Sequence, residues 1–256
     1  MRNSISFYMR NLRAIYNKAV KQKIVKKKEL FSEVYTGIDK TRKRAVDEEL
    51  ISKLYNLKLD NNDSLSFTRD IFIFSYCMRG MSFVDIAYLK KTDISNGVIS
   101  YCRRKTGQLM NVRIESCMQY IINRYMDEKS EYIFPIIKST DKGEAYKQYR
   151  SAINIYNRNL GVLSDMIGSG CKLSSYTARH SWATAARKHD VPISVISAGM
   201  GHSSETTTQI YLKSIEDDVV DRVNAEIVNK LRILVFVICS YIAIFPSIIA
   251  NTCHNI

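Results

Sequence analysis

Apolar positions along the chain recur mostly at helical spacing. Phe7, Leu12, Ile15, Tyr16, Ala19 and Val20 fall on one helix face, which runs out into the charge run Lys21, Lys23, Lys26, Lys27 and Lys28. The stretch 36–44 (TGIDKTRKR) has no apolar period and the composition of a loop, so a domain boundary is set there. Beyond it, Asp47, Glu48 and Glu49 place negative charge in a first helical turn, where the helix dipole favours it, and Leu50, Ile51, Leu54 and Leu57 supply an apolar face. A further helix is predicted over about 65–78. Ser82 with Asp85 reads as a capping box opening a short helix whose face is Phe83, Ile86, Ala87 and Leu89. Two runs rich in β-formers, 98–103 and 109–114, flank Arg104-Lys105-Thr106-Gly107-Gln108, which predicts a β-hairpin with a lysine near its turn. Helices are predicted again over about 116–126, 143–160, 175–188, 193–200, 204–212 and 215–229. The fold class is mainly α (α+β), with one small antiparallel sheet.

Composition changes little in that picture, but charge changes it. The chain has 256 residues, 46% hydrophobic and 25% charged, which excludes a disordered or fibrous protein. Its net charge of +13 points to a polyanionic partner. Residues 1–45 hold 13 basic and 3 acidic side chains, whereas the rest hold 25 and 22, so the basic surface is concentrated at the N-terminal end and includes Arg42, Lys43 and Arg44. The six cysteines stand apart with no C-x-x-C pair and read as reduced thiols, and no secretory signal precedes them, so a cytoplasmic location is expected. Residues 233–250 carry no charge but are interrupted by Ser240, Pro246 and Ser247. Three readings compete for this tail: a helix docking in trans, an extension from an altered reading frame, and a membrane anchor. The anchor is the weakest of these, and no membrane association is expected.

Candidate chemistry is narrowed first by what is missing. No phosphate-binding P-loop, dinucleotide fingerprint, H-E-x-x-H or G-x-S-x-G occurs, and the acidic residues form no cluster fit for a pair of magnesium ions, so no metal or other cofactor is expected. The informative stretch is 174–212. Ser174 or Ser175 is expected to cap a helix that presents Tyr176, Arg179 and His180 on one face. An arginine at a helix N-terminus offers a bidentate fork shaped for phosphate. Tyr211 follows that arginine by 32 positions and follows His202 by nine.

With these residues in hand, the sequence resembles the tyrosine recombinases, the phage integrase family. FSYCMRGMSF supplies Arg79, RRKTGQ supplies Lys105, YTARHSWAT supplies Arg179, GMGHSS supplies His202 and TTTQIYLKS supplies Tyr211, in the family's order and spacing. Two positions depart from the pattern. Tyr176 stands where the family's H-x-x-R has its histidine, and the acidic residue expected three positions after the first arginine corresponds to Asp85, six positions on. A tyrosine there can still donate a hydrogen bond but cannot act as a cation, and packing at the helix start is an equal reading of it.

The resemblance implies a catalytic domain over 46–230, preceded by a partial helical core-binding segment over 1–45 and followed by the apolar tail over 231–256. It implies cutting and rejoining of DNA through a 3′-phosphotyrosyl link without metal or ATP. Arg79 and Arg179 would clamp the phosphate, with Tyr211 as nucleophile, Lys105 protonating the leaving oxygen and His202 donating to a phosphate oxygen. Lys21, Lys23, Lys26, Lys27, Lys28, Arg42, Lys43, Arg44, Arg103 and Arg104 would contact the DNA backbone. The implied partners are double-stranded DNA carrying specific sites, three further copies of the chain in a homotetramer, and accessory DNA-bending proteins. Two alternatives stand beside this reading: a DNA-binding remnant without catalysis, because residues 1–45 are shorter than the family's whole domain and Tyr176 replaces a histidine, and an enzyme of the type IB topoisomerase kind. For Lys105, whose neighbours are also basic, a purely phosphate-binding hairpin is a further alternative.

Overall fold

The computed structural model describes residues 2–37, 45–59, 62–202 and 204–212, the side chains of Ile210 and Tyr211 excepted. The expected helix over 215–229, the tail, and Arg42, Lys43 and Arg44 lie outside these residues. The chain divides into two contact units, 1–43 and 44–256.

In the first unit, helix α1 (Arg2–Lys21) forms as its period predicts. Ser6 is its buried residue, and of the predicted apolar face Phe7, Leu12 and Ile15 are exposed while Tyr16, Ala19 and Val20 are half-buried, so the described residues cover only its C-terminal half. The following chain folds back on α1. The Tyr16 hydroxyl accepts the Lys28 N–H at 2.6 Å, Tyr16 and Phe31 place their ring centroids 5.8 Å apart, and Ser6 Oγ donates to the Gly37 carbonyl at 2.5 Å. Lys21, Lys23, Lys26, Lys27 and Lys28 are all exposed.

The second unit is built around one helix. After α2 (Glu48–Tyr55), capped by Asp47, comes α3 (Asp63–Cys77), capped by Asn62. The four consecutive apolar residues 71–74 point in every direction around one turn of α3, so that turn must be buried all round. Ile71, Phe72, Ile73 and Phe74 are buried accordingly, and α3 packs against α2, α5 (Ser116–Tyr125), α6 (Lys142–Ile167) and α7 (Thr177–Lys188). Each such side chain contributes about 1.5–3 kcal/mol relative to exposure. The one carboxylate buried in α3, Asp70, is matched by Arg69 Nε at 2.8 Å, Arg124 Nη1 at 3.2 Å and the Tyr125 hydroxyl at 2.7 Å. Hydrogen-bonded pairing is what makes its burial tolerable.

Helix α4 (Phe83–Ala87) leads into an antiparallel sheet of β1 (Ile94–Ser95), β2 (Val98–Cys102) and β3 (Leu109–Arg113). The hairpin of β2 and β3 was expected, with Tyr101 opposite Met110, but β1 was not. The signal for it is Asn96-Gly97, both at positive φ (+49° and +73°), the two-residue turn that suits adjoining strands. The capping box expected at Ser82 does not form. The Ser82 hydroxyl donates to Asp85 Oδ2 at 2.6 Å, and Asp85 Oδ1 takes the Arg104 N–H at 2.9 Å, so the carboxylate serves the hairpin rather than the helix end.

Helix α8 (Ile193–Met200) and α9 (Glu205–Leu212) complete the described chain. Both pack on α7, and Ala183, Ile196, Met200 and Leu212 form a small second core with Trp182 against it. Among the described residues no helix is long and apolar enough to cross a membrane.

Candidate active site

Three helix ends and one hairpin turn meet around Arg179. The first is the end of α3. Met78 N–H closes on the Phe74 carbonyl at 2.9 Å, and Gly80 N–H and Met81 N–H both reach the Ser75 carbonyl, at 2.9 and 3.2 Å. To make this stop the chain takes two consecutive left-handed residues, Arg79 at φ +57° and Gly80 at φ +75°. For a non-glycine residue that conformation costs about 1–2 kcal/mol and persists where the surrounding structure imposes it.

The second end is the start of α7. Arg179 is 6% exposed, and its planar fork is anchored by backbone from both neighbours. Nη1 donates to the Gly80 carbonyl at 2.9 Å, while Nη2 donates to the Met200 carbonyl at 2.5 Å and to His202 Nε2 at 3.0 Å. Gly80 lies so close that a Cβ there would stand 2.5 Å from Arg179 Cα and 2.7 Å from its Cβ. The third end is that of α8. A Cβ on Gly199 would stand 2.9 Å from Trp182 Cη2 and 3.7 Å from Arg79 Cδ, so both arginines lie along α8, and Gly201 caps it at φ +64°.

His202 follows that cap. Arginine has no acceptor, so His202 Nε2 must accept from Arg179, and the proton of the neutral ring sits on Nδ1, which donates to Thr208 Oγ1 at 2.8 Å. Burial, reinforced by the charges of Arg179, Arg103 and Lys105, pushes the ring's pKa down to about 4. His202 is therefore neutral at pH 7. Donation from Nε2 to a phosphate, the role the resemblance implies, requires the bond to Arg179 to open and the ring proton to relocate.

The hairpin brings Lys105 to the same place, exposed at the turn and near enough for its charge to act on His202. Its two basic neighbours part company. Arg104 is exposed, with its guanidinium 3.8 Å from the Tyr88 ring centroid. Arg103 does not face outward to DNA as expected. It is 7% exposed and donates from Nη1 to the Gly201 carbonyl. The alternation of β2 explains this, since Ile99 and Tyr101 point inward and Arg103 falls on the same parity. Tyr101 is a further neighbour that sequence reasoning missed. Burial and the Asp85 carboxylate push its hydroxyl up to about 12, against the opposing charges of Arg103, Arg179 and Arg79.

Tyr176 and Tyr211 are placed less fully. Neither Ser174 nor Ser175 caps α7. Tyr176 is the N-cap residue and gives no side-chain cap, Ser174 N–H bonds Thr177 Oγ1 at 3.0 Å, and Ser175 N–H bonds Asn157 Oδ1 at 2.9 Å. Tyr176 is 48% exposed at the helix start, where Arg179 one turn on is buried. Tyr211 lies in the last turn of α9, next to Leu212, which is 1% exposed in the second core. Thr208, fully buried at the histidine, was also missed, for one residue of a threonine run carries no sequence signal of its own. Among the described residues no group of three or more His, Cys, Asp or Glu comes together in a way that could hold a metal.

A helical domain with a small antiparallel sheet, gathering two arginines, a histidine and a hairpin lysine beside a tyrosine-bearing helix, defines the DNA breaking and rejoining enzymes that use tyrosine. The sequence profile of the phage integrase family matches residues 46–217. The chain belongs to that family and is a site-specific recombinase of the tyrosine type. No curated protein matches it. Among solved structures, a lambda integrase dimer bound to a COC′ core site has a TM-score of 0.56 at 13% identity, covering 78% of this chain and 69% of that one. The Tn1549 transposon integrase in complex with a circular intermediate DNA has a TM-score of 0.56 at 15% identity, covering 79% and 72%. In complex with transposon right end DNA, the same integrase has 0.54 at 14% identity, covering 79% and 72%. At these identities it is the fold that is shared.

Proposed function

We propose that this recombinase cuts each strand through Tyr211, which attacks phosphorus, leaves a 3′-phosphotyrosyl link and frees a 5′ hydroxyl. The observation that carries the reading is the convergence of Arg79, Arg179, His202 and the Lys105 turn on one point, beside the helix that bears Tyr211. A phosphodiester gains negative charge as it becomes pentacoordinate, so preorganised cations favour that state over the ground state. Arg79 and Arg179 hold the non-bridging oxygens, and Lys105 gives a proton to the departing 5′ oxygen. His202 braces Arg179 and, once that contact opens and the ring proton has moved from Nδ1 to Nε2, donates to phosphate. Tyr176 is an auxiliary donor to the phosphate or the leaving group. Because the covalent link keeps the energy of the broken bond, another 5′ hydroxyl reseals DNA without ATP.

The DNA is double-stranded and carries specific sites, gripped along its backbone by Lys21, Lys23, Lys26, Lys27 and Lys28, by Arg42, Lys43 and Arg44, and by Arg104. Residues 1–45 serve as the DNA-gripping segment and 46–230 as the catalytic domain. A homotetramer on paired sites, helped by accessory DNA-bending proteins, works in the cytoplasm at the nucleoid. The solved relatives bound to core-site and transposon DNA support the choice of partner. The test is to incubate the protein with nicked duplexes from the DNA flanking its own gene, trap protein-linked DNA in detergent and repeat with Tyr211→Phe. An adduct that the substitution abolishes is expected. An adduct that survives it, or none with the parent protein while salt-sensitive binding persists, overturns the reading.

A further inference from the structure

Arg103 is a buried cation without a part in the chemistry above. Its own peptide groups frame the Lys105 turn. Arg103 N–H donates to the Gln108 carbonyl at 2.8 Å, and its carbonyl accepts Gly107 N–H at 2.7 Å and Thr106 N–H at 3.3 Å. Its guanidinium leaves the turn on the inner side and donates to the carbonyl of Gly201, the residue before His202. The fit is close. A Cβ on Gly201 would stand 2.9 Å from Arg103 Cδ and 2.6 Å from Met110 Sδ. On the outer side, Arg104 N–H binds the buried Asp85 carboxylate at 2.9 Å. The lysine turn is thus gripped from two sides, by α4 through Asp85 and by the α8 cap through Arg103.

We propose that Arg103 is a positioning residue that latches the turn carrying Lys105 to the turn carrying His202, so that the lysine ammonium stands where the leaving oxygen needs its proton. Without the guanidinium, the Gly201 carbonyl loses its partner and the lysine turn is held from the Asp85 side only. The lysine remains, but its tip is free to wander, and a misplacement of about 1 Å is enough to cost on the order of a hundredfold in rate. This inference rests on Lys105 acting as the general acid, and the experiment separates the two ideas.

Single-turnover adduct formation is measured on two nicked duplexes, one with the ordinary phosphodiester and one with sulfur replacing the 5′ bridging oxygen at the cleaved position. A thiolate leaves without help, since a thiol is far more acidic than an alcohol. Lys105→Ala and Arg103→Ala are each expected to lose about a hundredfold on the ordinary DNA and to recover most of that loss on the sulfur DNA. Thermal unfolding accompanies each variant, and Arg103→Gln takes the place of Arg103→Ala if the latter does not fold. Recovery by Lys105→Ala but not by the Arg103 variant overturns the latch and leaves the general acid standing. No recovery by Lys105→Ala overturns the general acid, and the latch with it. Parent-like cleavage of ordinary DNA by the Arg103 variant also overturns the latch.

Discussion

Gly80→Ala tests the placement of Arg179 by close backbone approach. Two penalties are built into this position. A left-handed backbone at φ +75° costs a residue with a Cβ about 1–2 kcal/mol. The new methyl would also stand 2.5 Å from Arg179 Cα and 2.7 Å from its Cβ and Cγ, so α7 must retreat by about 0.9 Å to reach an ordinary 3.4 Å contact. Overpacking of that kind costs about 1–3 kcal/mol, giving about 2–5 kcal/mol in all, a large share of a domain's typical 5–15 kcal/mol. The same retreat carries the guanidinium off its carbonyl partners and should lower adduct formation at least about a hundredfold. Gly97→Ala is the matched control. Its φ of +73° is nearly the same, but nothing lies within 4 Å of the added carbon, so it should show the backbone penalty alone and cleave normally. Chemical denaturation supplies the stabilities and trapped-adduct kinetics the rates. If Gly80→Ala cleaved like the parent under conditions where it is fully folded, Gly80 would not be what sets the arginine.

Arg179→Ala should lose at least about 2.7 kcal/mol of transition-state stabilisation, a hundredfold in rate, and a normal rate of adduct formation would count against the clamp. His202 is held neutral, with a pKa lowered to about 4 against an ordinary value of 6.5, so the unfolded chain binds the proton first. Its contribution to stability is complete above pH 6.5 and is lost as pH falls toward 4, and thermal unfolding of His202→Asn should lack that part of the decline. Nitrogen chemical shifts should show the ring proton on Nδ1, and a proton on Nε2 at neutral pH would contradict the assignment. Replacing Lys26, Lys27 and Lys28 together by Ala should flatten the salt dependence of DNA binding by about 2–3 units of slope if all three meet phosphate. An unchanged slope would remove them from the DNA contact.

Much of the catalytic unit was legible because its signals are local. Helix α8 was read to the residue, since Pro192 and Gly201 punctuate an uncharged, largely apolar run. Helix α6 was read seven residues short at Leu160 because Gly161 follows. That glycine sits inside the helix where a Cβ would stand 2.9 Å from Lys172 Cε, and the stop comes at Gly168 in the left-handed conformation. The motif spacing named Arg79, Lys105, Arg179 and His202 but not their partners, since spacing along the chain carries no information about which carbonyls a guanidinium will meet. Arg103 shows the limit most clearly. Beside Arg104 and Lys105 it reads as one more surface cation, although the alternation of β2, carried one step past its end, points it inward. The apolar face of α1 was equally legible, yet the described residues leave Phe7, Leu12 and Ile15 on it exposed.

Arg79, Lys105, Arg179, His202 and the helix of Tyr211 all belong to the unit 44–256, with the main core drawn from that unit as well. The unit 1–43 carries much of the chain's excess positive charge instead. On the proposed function, bond-breaking geometry and grip on a polyanion are thereby written into separate stretches of sequence. The two can drift at different rates, and a stretch with a different charge pattern can be spliced ahead of residue 44 to redirect the enzyme while its reacting groups keep their arrangement.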